Sequence, residues 1–183
     1  MPRSVHPSVA IGQQRNPTLS IRRNWNASGL WPHATRGYSK AIELNSNYVA
    51  AYNNRGNAKL HKANFDGAIA DASKAIELNP KFAQAYHNRA IARLQKGDFD
   101  GAFADSSREI ELNPKNAITY YVRGTAKLGR GDIDGAIADY SKVIELDPKF
   151  ADAYESRGDA KKHKGDLKGA EADDKQATDL NSK

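Results

Sequence analysis

The sequence repeats itself with a fixed period of about 34 residues, and this period dictates how the chain must fold. Gly67-Ala-Ile-Ala-Asp71, Gly101-Ala-Phe-Ala-Asp105, Gly135-Ala-Ile-Ala-Asp139 and Gly169-Ala-Glu-Ala-Asp173 recur at equal intervals. So do Tyr52, Tyr86, Tyr120 and Tyr154, each opening the phrase Tyr-x-x-Arg-Gly/Ala-x-Ala-Lys/Arg. A fixed period of this length belongs to stacked units that each bury a face on the next, and it overrides any domain count taken from length.

One unit shows what is stacked. In Gly131–Pro148 the acids Asp132 and Asp134 straddle a helix start, where they can cap free amides and suit the dipole. Ala136, Ile137, Tyr140, Val143, Ile144 and Leu146 recur at three- and four-residue spacing and form one apolar face. Pro148 ends the helix, because it lacks an amide hydrogen and clashes with the preceding turn. The phrase opened by Tyr120 supplies a second helix, and Gly97, Gly131 and Gly165 make the turn between the two. Ala63 occupies that turn position in one unit, which predicts slight strain there. The expected fold is all-α: antiparallel helix pairs, close-packed at Gly56/Ala90/Gly124/Gly158 and Ala68/Ala102/Ala136/Ala170. Tyr52/Tyr86/Tyr120/Tyr154 and Phe65/Phe99/Ile133/Leu167 fill the space between units.

The expected organisation is a disordered basic tail over 1–14, a degenerate first repeat over 15–48 with its second helix at about 33–45, and repeats at 49–82, 83–116, 117–150 and 151–183. In the first repeat Ala34, Tyr38, Ala41, Ile42 and Leu44 keep the register, and Pro32 suits a first helical turn. A weaker preceding helix would be capped at Asn16-Pro17 and turn Ile21 and Trp25 inward, with Arg22 replacing the small residue of later units. In the fifth repeat Glu171, Asp174 and Thr178 replace apolar residues, giving the polar outer face of a terminal cap.

Charge is informative once located. Residues 1–42 contain Arg3, Arg15, Arg22, Arg23, Arg36 and Lys40 and no acid, which accounts for the net charge of +6. Residues 43–183, which hold the four clear repeats, are electroneutral, which disfavours nucleic acid as their partner. Attachment to nucleic acid or an anionic surface through the basic N-terminal segment is the alternative function. Cysteine is absent, so disulfides and thiolate chemistry are excluded. There is no apolar run long enough for a membrane span. A cytoplasmic location is expected, with organelle targeting by the Arg-rich N-terminus as the alternative.

No arrangement of residues points to catalysis. His61 and His163 share a column three repeats apart, and His87 stands on another. None has the spacing that places two ligands on one helix face. Catalytic residues, metal ligands and cofactors are all expected to be none.

These columns resemble the tetratricopeptide repeat: the same period, a helix pair, an aromatic opening, small residues at two close-packing points and a closing proline. The resemblance implies a right-handed superhelical solenoid and a non-catalytic scaffold for protein–protein interaction. Its partner would be a protein, a peptide or a partner helix held in a concave groove lined by the first helices. Column-matched groove positions are Asn53, Asn54, Asn57 and His61; then Gln84, His87, Asn88, Ile91 and Gln95. They continue with Ile118, Tyr121, Val122 and Thr125, and end with Asp152, Glu155, Asp159, Lys162 and His163. That pattern runs from amide-rich through apolar to acidic. It predicts an extended or helical ligand with an apolar centre anchored on Tyr121 and a basic residue near the fifth repeat. One branch of the family clamps the C-terminal carboxylate of chaperone tails. Asn57 and Asn88 match its asparagines, but Asn53, Ile118 and Val122 stand where its cations are needed, so that ligand is not expected. A self-assembling structural module, hence a homo-oligomer, is a third reading.

One departure from the family is systematic: Arg55, Arg89, Arg123 and Arg157 replace a usual leucine, and at one constant offset each is followed by an aspartate, Asp71, Asp105, Asp139 or Asp173. A charge pair across each helix hairpin is expected. A second departure is local. Glu109 stands where Ala75 and Ala177 stand, and Ser106 where Tyr140 stands. This predicts a weak seam between the third and fourth repeats, Arg123 as the nearest cation for Glu109, and a gain in stability from Glu109→Ala.

Overall fold

The computed structural model describes residues 31–182, with side chains from Thr35 onward. The expected tail over 1–14 and the helix before Gly29 lie outside the described residues. Among the described residues the chain is all-helical, in the order α1 (Trp31–Leu44), α2 (Val49–His61), α3 (Phe65–Leu78), α4 (Ala83–Gln95), α5 (Phe99–Leu112), α6 (Ala117–Gly129), α7 (Ile133–Leu146), α8 (Ala151–Lys164) and α9 (Leu167–Asn181). Each helix packs on the next in sequence. The first helices of successive units also meet, α2 with α4 and α4 with α6. The result is a solenoid of antiparallel helix pairs. No described helix is long and apolar enough to cross a membrane.

The helix starts follow from the repeated Asn/Asp-x-x-Gly. Asn64, Asp98, Asp132 and Asp166 each accept a hydrogen bond from the amide three residues on, at Gly67, Gly101, Gly135 and Gly169. Glycine leaves room for the capping side chain, since a Cβ at Gly101 would lie 2.2 Å from the Asp98 carboxylate and displace it. At the turns Gly97, Gly131 and Gly165 have φ of 76°, 82° and 88°, and Ala63 takes the same left-handed conformation at 56°. An alanine there has a Cβ pressed toward the following carbonyl, a cost glycine does not bear.

The apolar core falls into two clusters. One gathers Leu60, Ala68, Ala90, Ile91 and Val122; the other gathers Tyr120, Tyr121, Ala136, Tyr140, Val143, Ala153 and Ala160. At the junction of α4, α5 and α6 a buried polar set appears instead: His87, Ser106, Glu109 and Thr119. One period later the same positions carry Tyr121, Tyr140, Val143 and Ala153, all buried. Asn116 likewise replaces Phe150, whose ring lies 5.2 Å from that of Tyr121. One junction is therefore built from hydrogen bonds and the next from aromatic packing.

Candidate functional site

The most regular chemistry of the chain lies on the Arg and Asp columns. A first helix carries its arginine one turn after its tyrosine, and the second helix carries its aspartate where the two helices pack. In all four units the guanidinium grips the carboxylate with two bonds. Arg55 Nε and Nη2 donate to Asp71 at 2.8 and 2.6 Å, and Arg89 to Asp105 at 2.9 and 2.7 Å. Arg123 donates to Asp139 at 2.8 and 2.7 Å, and Arg157 to Asp173 at 2.9 and 2.6 Å. A second cation, one turn further along the first helix, reaches the same carboxylate: Lys59 at 2.7 Å, Arg93 at 2.7 Å, Lys127 at 2.9 Å and Lys161 at 2.8 Å.

The repeated phrase contains this second cation, at its Lys/Arg position, but spacing alone does not identify its partner. A buried carboxylate with two cations and no apolar substitute is a costly device unless every oxygen is satisfied, as it is here. Burial tends to raise the Asp173 carboxyl, but the hydrogen bonds from Arg157 and Lys161 outweigh it and hold the group below the usual carboxylate range.

Two further contacts join this cluster to neighbouring structure. Each guanidinium lies over the tyrosine ring of its own helix, 5.5 Å for Tyr52, 5.8 Å for Tyr86, 5.5 Å for Tyr120 and 5.7 Å for Tyr154. Across the unit boundary, Arg55 donates to Ser39, Arg89 to Ser73 and Arg157 to Ser141, at 3.2, 3.0 and 3.0 Å. Ser107 occupies the same column before Arg123, yet its hydroxyl is buried with no hydrogen-bond partner among the described residues. A second ladder crosses unit boundaries at the turns, including the one where Ser107 is unpartnered: Asp66 with Lys96, Asp100 with Arg130 at 2.8 Å, and Asp134 with Lys164 at 2.5 Å.

The expected groove is mostly closed at its centre. Asn53, His87, Asn88, Ile91, Tyr121 and Val122 are all buried. For most of them the cause is the approach of α2 to α4 and of α4 to α6, which makes a seam between helices, whereas Tyr121 is covered by Tyr140, Phe150 and Ser156. Asn88 Nδ2 donates to Asn53 Oδ1 at 2.8 Å across that seam, and Tyr121 OH pairs with Ser156 Oγ at 3.0 Å. Tyr121, expected to be an exposed anchor, is 2% exposed. Its ring is tilted against Tyr140 and Phe150 at 5.5 and 5.2 Å, and burial pushes its hydroxyl well above the usual tyrosine range. Burial likewise pushes Tyr140 up to about 12. An apolar groove centre built from Ile91, Tyr121 and Val122 is thus corrected: these side chains are core.

The columns stay open elsewhere. Asn54, Gln84 and Asp159 are exposed, as are Lys162 and His163. Asn57, His61, Gln95, Ile118, Thr125, Asp152 and Glu155 are partly exposed. Asn57 Oδ1 is itself buried without a partner among the described residues, and burial lowers the His61 imidazole from its ordinary value. Glu155 accepts from Asn181 at 3.2 Å, and Asp159 from Lys162 at 3.3 Å.

Glu109 also requires a correction. Its partners are His87 Nδ1 at 2.9 Å and Asn116 Nδ2 at 2.8 Å, not Arg123, which is committed to Asp139. Thr119 Oγ1 completes the set, 3.5 Å from His87 Nδ1. The sequence points to Glu109 but not to this network, because its donors come from two other helical segments. Among the described residues no group of His, Asp or Glu is placed to hold a metal ion.

Comparison with known proteins agrees with this architecture. Models described as tetratricopeptide repeat match residues 49–82 and 72–104, and one described as TPR repeat matches residues 124–165. A comparison with curated proteins finds no significant sequence match. Among solved structures, a crystal structure of MamA superposes with a TM-score of 0.79 at 28% identity, covering 88% of this chain and 95% of that one. The TPR domain of Arabidopsis OM64 gives 0.62 at 29% identity, over 63% and 95% of the two chains. YrrB, described as a TPR protein with an unusual peptide-binding site, gives 0.72 at 23% identity over 90% and 82%, a likeness of fold. The family matches together span more than half of the 183 residues, and the packed helix pairs repeat in the same register: the chain belongs to the tetratricopeptide repeat family.

Proposed function

We propose that the chain is a non-catalytic scaffold that holds an extended peptide or a partner helix along the open positions of its first helices. The fold is one typical of protein–protein interaction. The observation that supports the finer reading is on α8, where Asp152, Glu155 and Asp159 follow at i, i+3 and i+7 and so share one helix face. With Asn54, Gln84 and Thr125 on the earlier first helices, that face favours a polar ligand with a basic residue beside the fifth unit. Its charges act mainly on orientation and association rate.

Panning a random peptide library against the full chain and the triple variant D152N/E155Q/D159N tests this. Wild type should enrich peptides carrying Lys or Arg. The variant should retain them less at about 0.05 M salt, a difference that fades near 0.5 M as screening sets in. Enrichment without a basic preference, or equal retention by both proteins, would remove the proposed site.

A further inference from the structure

Where the turn between α4 and α5 meets the end of α6, a cleft of about 350 Å³ opens to solvent, lined by Gly97, Asp98, Phe99, Asp100, Gly129 and Arg130. Its cause is a missing side chain. The column at the end of the first helices reads His61, Gln95, Gly129 and His163, so α6 alone of these four helices has no side chain at this point. One period earlier the columns combine Phe65 with Gln95. Here Phe99 lies against bare backbone, and a Cβ on Gly129 would come within 2.5 Å of its ring.

The lining matches one chemical group. Arg130 shows how α5 already holds a guanidinium: it lies over the Phe103 ring at 4.5 Å, with its Nε 2.8 Å from Asp100. One turn earlier on the same helix, Phe99 and Asp98 repeat that combination of ring and carboxylate. Asp98 Oδ1 accepts the Gly101 amide at 2.9 Å. Its Oδ2 is 3.5 Å from Arg93 Nε, and that guanidinium is already engaged by Asp105 at 2.7 Å. Asp98 thus has capacity for a further donor. Asp100 and Arg130 cancel, so Asp98 leaves the cleft with negative charge. The helix dipole disfavours a cation at a helix start, yet this chain seats cations there repeatedly, Lys96 at Asp66 and Lys164 at Asp134.

We propose that this cleft binds the guanidinium of an arginine side chain presented by a partner polypeptide, stacked on Phe99 and hydrogen-bonded to Asp98. A guanidinium is flat and carries a fork of donors, so it can meet a ring and a carboxylate at once, which an ammonium cannot. The volume is at the small end of ligand sites, which span about 300–1,000 Å³, and suits one side chain rather than a folded element. The acids of α8 take no part in it.

Titrating N-acetyl-arginine amide into the isotope-labelled full chain, with backbone amide shifts followed by NMR, tests the site. Saturable shifts should centre on Gly97, Asp100 and Gly129 with a millimolar Kd, and N-acetyl-lysine amide should bind roughly threefold or more weakly. Two variants should each raise the Kd roughly threefold or more while circular dichroism stays that of the parent. Asp98→Asn removes the charge and keeps a capping side chain of the kind Asn64 supplies. Gly129→Gln fills the cleft by restoring the combination of Phe65 with Gln95. The variant D152N/E155Q/D159N should titrate like wild type, so this site and the acidic face of α8 stand or fall separately. One period later Asp132 and Asp134 supply the same acids beside Ile133 and His163, without the ring or the gap. Equal shifts at Gly131 would therefore mean general attraction to acidic turns and overturn the assignment. Equal affinity for the lysine probe, or an unchanged Kd in both folded variants, would overturn it as well.

Discussion

Tyr121 and Glu109 show how little the chemistry of a residue type settles about its role. Both stand on columns that face a groove or a tight contact in the repeat pattern, and both are 2% exposed. Tyr121→Ala therefore removes core rather than a ligand anchor. It should cost about 3–5 kcal/mol of stability in urea unfolding, the range for deleting a large buried aromatic side chain. A loss under about 1 kcal/mol would mean the ring is dispensable to the fold. For Glu109→Ala the expected sign reverses from the sequence-based one. Removing the carboxylate leaves His87 Nδ1 and Asn116 Nδ2 without their acceptor at a buried junction. Orphaning buried donors costs about 1–3 kcal/mol, so the variant should unfold at lower urea than wild type.

Between elements, the serine column offers a built-in comparison. Ser141 receives Arg157 Nη1 at 3.0 Å, whereas Ser107, one period earlier, has no partner among the described residues. Ser141→Ala should cost about 0.5–1.5 kcal/mol, and Ser107→Ala should be neutral or stabilising, because its hydroxyl is already buried unpaired. Equal losses in thermal melts would show that the bridge across the unit boundary carries no weight.

The same columns show what can be read without coordinates. Helix pairs, turns and caps follow from local residues, because Asp132, Gly135 and Pro148 act within a few positions of themselves. Arg123 and Asp139 are linked by their common offset. Closure of the groove depends instead on how nearly α2, α4 and α6 approach one another, a property of unit against unit that no single repeat contains. The network of His87, Glu109, Asn116 and Thr119 escapes for the same reason, since its members change together across three helices.

The whole molecule behaves as a chain of nearest-neighbour contacts, so stability is a sum over units and junctions rather than one shared core. Its fifth unit gives a pH test of that view. Asp173 is held below the usual carboxylate range by Arg157 and Lys161 against the effect of burial. Its unfolded value is about 3.9. Because the folded value lies below that, the stabilisation is fully present at neutral pH and is lost as pH falls through the folded value. The loss should appear first in α8 and α9, since α9 packs chiefly on α8 and the pair ends the stack. Hydrogen exchange of the full chain at pH 7 and at about pH 3 should show α8–α9 losing protection before α4–α6. Asp173→Asn should lower stability at pH 7 by at least about 1 kcal/mol, between the limits for exposed and buried ion pairs. It should also flatten the acid limb, because the group that took up the proton is gone. If wild type and variant lose stability in parallel between pH 5 and about pH 2, another carboxylate controls the acid response and the fifth unit is not its weak point.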